Sequence, residues 1–512
     1  MIFRSPLPDV AIPSATLADY ALANVDAHAT RAAFIDASSE RVVTHGELRA
    51  LVKRAATGLA ARGVAKGDVV AVSLPNLPEF AVALYAVTSL GAVVTTLNPL
   101  YTPDEVDKQL RDAGARYLIT LPLLLEPLRP MLSRAALRGI FVLGEAEGAT
   151  PWRELFTSDA PPPVVSIDPA RDLAVLPYSS GTTGLPKGVM LTHRALVANA
   201  EAGVHGPNHI SGNDVFAGVP PMFHIYGITF YFGLAMRLGG TVVCLPRFDF
   251  AQYVAALARY RATFAVVVPP VALGLAQHPL VAEHDLSALR YIVSSAAPLA
   301  PALAEAMEKR LGARVVQGYG MTEIAGASHV QRENDPPGCV GVALPNVEWR
   351  VMDPDGGAEL EVGQHGEIWV RGPSLMTGYL NQPDATRATL DDEGWLHTGD
   401  IGYGDVEGRC FIVDRLKELI KFKGYQVAPA ELEAVLLSHP AVADAGVIPM
   451  PDVESGEVPK AFVVKRGDVD AETLKAYVAA RVAPYKKLRE VVFVESLPKS
   501  PAGKLLRRML KA

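Results

Sequence analysis

The stretch YSSGTTGLPKGV, Tyr178 to Val189, follows the apolar run LAVLP and gathers glycine, serine and threonine beside one lysine. A loop of that composition after a strand exposes backbone N–H groups and hydroxyls that can wrap phosphate oxygens, and Lys187 adds a point charge. Ser179, Ser180, Gly181, Thr182, Thr183 and Lys187 are therefore candidate phosphate ligands. The spacing is not that of a Walker A loop, because Leu185 and Pro186 separate Gly184 from Lys187. No G-x-S-x-G elbow occurs, so nothing points to a serine nucleophile of that kind.

Further chemistry-bearing residues sit in PMFHIYG (His224), QGYGMTE (Glu323), GWLHTGD (Asp400), DRLKELIKFKGYQVAPAELE (Arg415 onward) and LPKSPAGK (Lys504). Each has a plain reading in isolation. Glu323 reads as a surface turn residue, Asp400 as an aspartate after Thr-Gly in a turn, His224 as a core histidine and Lys504 as a solvated lysine.

The elements that must position these residues follow from hydrophobic periodicity. DVVAVSL then PEFAVALYAVTSL, FAVVVPP then VALGLAQHPL, and RYIVSSA then LAPALAEAMEKRLG alternate strand and helix patterns, the signature of doubly wound α/β layers. From about Val347 the pattern becomes VEWRVMD, GEIWVRG and GRCFIVD, strands with no helix between them. After Asp414 a small α+β unit follows, with ELEAVLLSHPAVADAGVI as helix then strand, KAFVVKR as strand, AETLKAYVAARV as helix and EVVFVES as strand. The expectation is an α/β protein: a large N-terminal domain, 1–414, of α/β layers plus a β segment, and a small α+β C-terminal domain, 415–512, to which the resemblance set out below adds mobility.

Composition bounds the function. At 512 residues, 49% hydrophobic and 20% charged, the chain is globular and large enough for several subdomains. A net charge of -7 provides no global field for nucleic acid or anionic membrane. One local basic region, with Lys486, Lys487, Arg489, Lys499, Lys504, Arg507, Arg508 and Lys511, reads either as a polyanion site or as a solvated face. Cys244, Cys339 and Cys410 have no C-x-x-C spacing, which fits a reducing cytoplasm rather than a disulfide framework. The N-terminus lacks a signal-type apolar run. Phe80 to Pro103 reads as buried helix, strand and turn rather than as a membrane span.

The ordered series from YSSGTTGLPKGV through QGYGMTE, GEIWVRGPSLMTGYL, GWLHTGD, DRLKELIKFKGYQVAPAELE and LPKSPAGK resembles the adenylate-forming superfamily of acyl-CoA synthetases, luciferases and peptide-synthetase adenylation domains. The resemblance covers nearly the whole chain, and PMFHIYG and FKGYQVAPAELE look closest to the 4-coumarate:CoA ligase branch.

The resemblance implies a site for ATP and AMP formed by Ser179, Ser180, Gly181, Thr182, Thr183, Lys187, Ala296, Gln317, Gly318, Tyr319, Thr322, Asp400, Arg415, Lys421, Gln426 and Lys504. Within it Tyr319 would carry adenine, Asp400 and Arg415 would hold the ribose, and Glu323 would bind Mg2+. Lys504, His224 and Lys187 are the candidate catalytic residues. Lys417 is the implied hinge, Arg247, Lys423 and Gly424 the implied coenzyme A contacts, and Tyr226, Thr229, Ala296, Gly318, Gly320 and Val330 the implied acid pocket. After Glu323 the chain reads IAGASHV where plant coumarate enzymes typically have AGPVLAM. Gly326 and Ala327 thus stand where proline and valine would narrow the pocket.

These residues point to an ATP-dependent carboxylic acid:CoA ligase working through an acyl-adenylate on cinnamate- or 4-coumarate-like acids. Medium-chain fatty acids, a luciferase-like oxygenase and an inactive nucleotide-binding protein remain alternatives. The expected partners are the acid, ATP and coenzyme A, with neither nucleic acid nor an integral membrane association, in a monomer or homodimer.

Overall fold

The computed structural model describes residues 1–132, 134–179, 186–295, 299–416, 418–422, 425–452, 455–482, 484–499 and 505–510, without the side chains of Lys421, Tyr425, Gln426 and Arg508. Two large sheets dominate. In the first, Val93–Thr96, Val69–Ser73, Ala115–Thr120 and Gly139–Val142 run parallel, and the hairpin Tyr178–Ser179 with Lys187–Thr192 joins one side through Leu173–Val175.

In the second sheet, Ala32–Asp36, Thr241–Cys244, Val215–Gly218, Phe264–Val267, Tyr291–Ser294 and Arg314–Met321 are parallel neighbours. Arg314–Met321 then pairs antiparallel with Gly326–Val330. Beyond that strand the sheet continues antiparallel through Gly341–Ala343, Arg409–Arg415, Leu396–Gly404, Gly366–Arg371 and Glu348–Met352. The β-rich stretch after Val347, which reads as a segment following the α/β layers, is therefore a direct extension of one of them. The strand where the pairing changes sense carries Gln317 to Met321.

The two sheets share a core filled by two helices without a polar face. Pro78–Ser89 is buried on all sides and capped by proline in its first turn. Phe80 stacks on Phe232 of the helix Ile228–Ala235 at 5.5 Å, and the Tyr85 hydroxyl donates to the Phe232 carbonyl. Ile228–Ala235 is a π-helix, whose wider turn is a common device beside functional sites. Among the described residues no helix is long and apolar enough to cross a membrane.

The C-terminal part has its own sheet, Tyr425–Val427, Ile420–Phe422, Gly456–Lys465 and Val442–Asp452, with Glu490–Phe493 parallel to Gly456–Lys465. Helices Pro429–Leu437 and Ala471–Ala479 cover it, and Ile420, Leu432, Leu436, Val447, Val463 and Leu474 form a separate core. Within the basic region noted in the sequence, Lys486 pairs with Glu431, Lys499 with Asp444, and Arg507 with Glu418 and Glu433.

Candidate functional site

Ser179 and Lys187 face each other across the hairpin. Ser180, Gly181, Thr182 and Thr183 lie outside the described residues. The hairpin is held at its base by the Tyr178 hydroxyl, which donates to Asp112 Oδ2 at 2.5 Å, and by Val189 opposite Tyr379. At that junction four side chains converge. Glu323 Oε1 accepts from Ser179 Oγ and from the Tyr379 hydroxyl, both at 2.9 Å, while Lys187 Nζ lies 4.6 Å above the Tyr379 ring.

Glu323 is buried in a single turn, Thr322–Ile324, and its carbonyl accepts from the Met376 N–H at 2.9 Å. Burial and the neighbouring Glu323 charge push the Tyr379 phenol upward, so it remains a donor. Tyr379 lies in the GEIWVRGPSLMTGYL stretch, but nothing in its residue type or spacing marked it. Only the pairing of Gly378–Tyr379 with Lys187–Thr192 brings it beside Lys187 and Glu323.

Glu323 is a single carboxylate, and among the described residues no group of three or more His, Cys, Asp or Glu could hold a metal by itself. One protein carboxylate beside a phosphate-binding loop fits magnesium, which keeps several waters and takes the rest of its shell from substrate phosphates.

A second cluster forms at Tyr319, near the C-terminal end of Arg314–Met321. The Tyr319 hydroxyl donates to Asp400 Oδ2 at 2.6 Å, and Arg415 Nε lies 3.1 Å from Asp400 Oδ1. Asp400 and Arg415 are opposite each other on neighbouring strands, so sheet register sets the pair. Burial, then the Asp400 charge, raises the Tyr319 phenol well above its ordinary value. Gln317 is buried with its amide engaged: Oε1 accepts from the Leu299 N–H, and Nε2 donates to the Cys339 carbonyl. Its side chain thus braces Leu299, while Ala296 lies outside the described residues.

Behind Gly318 lies an apolar cavity, partly open to solvent. Tyr226, Thr229, Gly318, Val330, Gly326 and Ala327 line it. Gly320 is not in the wall. A Cβ there would overlap the Gly326 carbonyl, so this glycine is needed for strand approach. Asn199 and Ser295, which no motif singles out, are also in the wall. Asn199 donates to the carbonyls of Ile324 (3.2 Å) and Ala327 (2.7 Å), and Ser295 Oγ donates to the Gly318 carbonyl at 2.9 Å.

His224 caps the turn Ile225–Gly227, its Nδ1 accepting from the Tyr226 N–H at 3.3 Å. Burial lowers it to about 4, so the imidazole is neutral near pH 7.

The remaining candidates divide between exposed and undescribed. Arg247 is exposed between Thr241–Cys244 and Phe250–Arg259. Lys421 and Gln426 are opposite each other on paired strands. Lys417, Lys423, Gly424 and Lys504 lie outside the described residues. Lys499 and Leu505 bridge on either side of Lys504, and the Leu506 N–H donates to the Pro498 carbonyl at 2.9 Å.

A fold of two sheets with a separate C-terminal unit, and a hairpin whose Ser179 and Lys187 meet the buried Glu323 and Tyr379, are the marks of a nucleotide-using enzyme. The chain belongs to the AMP-binding enzyme family: residues 22–380 match the model of the AMP-binding enzyme and residues 431–504 that of the AMP-binding enzyme C-terminal domain. It is 44% identical to 4-coumarate--CoA ligase 5 of Oryza sativa subsp. japonica, over 100% of this chain and 97% of the relative. With 4-coumarate--CoA ligase 2 of Solanum tuberosum the identity is 42%, over 100% and 96%. Among solved structures, the anthranilate CoA ligase AuaEII in complex with anthranoyl-AMP superposes with a TM-score of 0.90 at 26% identity, covering 98% of this chain and 97% of that one. ATP-bound MatB from Rhodopseudomonas palustris gives 0.89 at 29% identity, covering 97% and 98%.

Proposed function

We propose that the chain joins carboxylic acids to coenzyme A in two steps, with 4-coumarate-like aryl-propenoic acids as its substrates. The convergence of Ser179, Lys187 and Tyr379 on Glu323, three residues before the cavity-wall residue Gly326, carries this reading. In the first step a carboxylate oxygen attacks the α-phosphorus of ATP and pyrophosphate leaves, giving the acyl-adenylate. Two anions must meet, so cations and donors aimed at the phosphates supply most of the catalysis. Lys187 and the loop Ser179 to Thr183 would hold the phosphates, and Lys504 would lie against the carboxylate and the α-phosphate. Glu323 would hold Mg2+, which screens the triphosphate charge when bound.

Tyr319 would support adenine, Asp400 and Arg415 would hold the ribose, and Thr322 would contact phosphate. In the second step the thiolate of coenzyme A attacks the acyl carbon and AMP leaves. That step needs room where pyrophosphate had been. A C-terminal domain beginning at Arg415 would turn about Lys417, withdrawing Lys504 and presenting Lys423 and Gly424, with Arg247 toward the phosphates of coenzyme A. Lys421 and Gln426 would meet the acyl-adenylate, and neutral His224 would orient the acid. Three free, buried cysteines fit a cytoplasmic setting, and a monomer or homodimer is expected.

The test is pyrophosphate release across a panel of acids, with thioester formation read separately. Cinnamate and 4-coumarate should be activated and converted to thioesters. Octanoate turning over far faster than either, or acid consumption independent of coenzyme A, would overturn the reading.

A further inference from the structure

The cavity is apolar, and most polar side chains in its wall are already committed to the backbone. Asn199 and Ser295 are bonded as described, and Thr229 Oγ1 donates to the Ala325 carbonyl at 2.5 Å. One wall residue, Asn208, keeps a buried polar atom, its carboxamide oxygen, with no hydrogen-bond partner among the described residues; the Tyr226 hydroxyl interacts with Ser295. Asn208 is 5% exposed. A buried amide oxygen left unpaired costs roughly 1–3 kcal/mol, so whatever occupies the cavity is selected for its ability to satisfy it.

Asn208 lies at the end of the cavity remote from the nucleotide residues. The Ser295 end is the near one, because Ser295 is bonded to Gly318, next to Tyr319 and hence to Asp400. The other end is fixed by His209, whose carbonyl accepts from Arg290 Nη2 at 3.3 Å. Arg290 immediately precedes Tyr291, which is opposite Phe264, another wall residue. Tyr291 to Ser295 is four residues of extended chain, roughly 13 Å at the ordinary strand rise. An acid with its carboxylate beside Gly318 therefore extends its tail toward Asn208. Pro207 and Leu344 complete that end with apolar surface.

We infer that Asn208 is a specificity-determining residue of the acid pocket, accepting a hydrogen bond from a hydroxyl at the end of the acid farthest from its carboxylate. The inference rests on the acid:CoA ligase reading and deepens it, because it separates acids with a terminal phenol from those that are bare or capped there. A phenol suits either orientation of the carboxamide, since it both donates and accepts. A methyl ether accepts only.

The experiment compares the purified full chain with Asn208→Leu, which keeps the volume and removes the polar group. Pyrophosphate release is measured with 4-coumarate, cinnamate and 4-methoxycinnamate, and thermal midpoints are recorded for both proteins. The wild type should prefer 4-coumarate over the other two. In Asn208→Leu the coumarate-to-cinnamate ratio of kcat/KM should fall by about 10-fold or more, the size expected when a buried polar contact is lost. A ratio unchanged by the substitution, or an equal loss on all three acids, overturns the role of Asn208. If the wild type activates none of the three while turning over another acid, the aryl-propenoate reading itself fails, and the inference with it.

Discussion

The Tyr319 hydroxyl donates to Asp400 Oδ2 at 2.6 Å while Arg415 approaches the other carboxylate oxygen at 3.1 Å, so one buried carboxylate joins three separate stretches of chain. Asp400→Asn keeps the shape and removes the charge that both neighbours use. The expected result is a 10- to 100-fold rise in KM for ATP, as hydrogen bonds to charged groups are worth about 1.5–3 kcal/mol. Pyrophosphate release against ATP concentration would show it, and an unchanged KM would refute a nucleotide role.

Tyr379 gives a narrower test. Tyr379→Phe keeps the ring beneath Lys187 and deletes one of the two hydroxyls that Glu323 Oε1 accepts. Adenylation should slow by about 5- to 10-fold, in line with one net hydrogen bond of about 1 kcal/mol. The magnesium concentration for half-maximal rate should shift in the same variant, because the carboxylate loses a positioning partner.

Ala327→Val tests the breadth of the pocket. Ala327 is in the cavity wall beside Gly326, and two added methyl groups there reduce the space for ring substituents. Turnover of acids with bulky methoxy groups should fall by about 10- to 100-fold relative to cinnamate. Competition between the two acids in one reaction, read by mass spectrometry of the thioesters, measures that ratio directly.

Acid should destabilise this protein before it reaches the carboxylate range. Burial lowers His224 and His193 to about 4 and His329 to about 3, against 6.5 for a free imidazole. A histidine depressed on folding binds its proton more readily in the unfolded chain. Stability is then full above 6.5 and is lost as pH falls toward 4, at about 1.4 kcal/mol for each unit of depression. Thermal midpoints between pH 7.5 and 4.5 should fall steadily, and His224→Gln should flatten the slope.

The two half-reactions should separate by mutation. Lys504→Ala is expected to abolish most adenylate formation while thioester formation from preformed acyl-AMP continues, and Lys423→Glu should do the reverse by raising the demand for coenzyme A. Equal loss of both half-reactions in Lys504→Ala would refute the two-conformation account.

Much of this was readable in the chain because the chemistry fixes residue types. Phosphate binding calls for glycine, hydroxyls and lysine, so the Ser179 to Lys187 stretch stood out, and Asp400 and Arg415 came with ordered motifs. The helix Pro78–Ser89 and strand Val93–Thr96 followed from apolar patterning and proline placement. What was hidden depends on pairing between distant segments. Tyr379 acquires meaning only when Gly378–Tyr379 pairs with Lys187–Thr192. Asn199 and Asn208 are ordinary asparagines until a π-helix and a strand enclose the space beside them. The continuation of a parallel sheet into antiparallel strands turns on Arg314–Met321 meeting Gly326–Val330, which no local period announces.

The cysteines have one last consequence. A ligase of this kind makes an intermediate that any accessible thiolate would attack, yet its intended acceptor is itself a thiol. Cys244, Cys339 and Cys410 are all buried, and burial raises each thiol, Cys339 to about 11. Their sulfurs therefore remain protonated and out of reach. None of the three cysteines competes with coenzyme A for the activated acyl group.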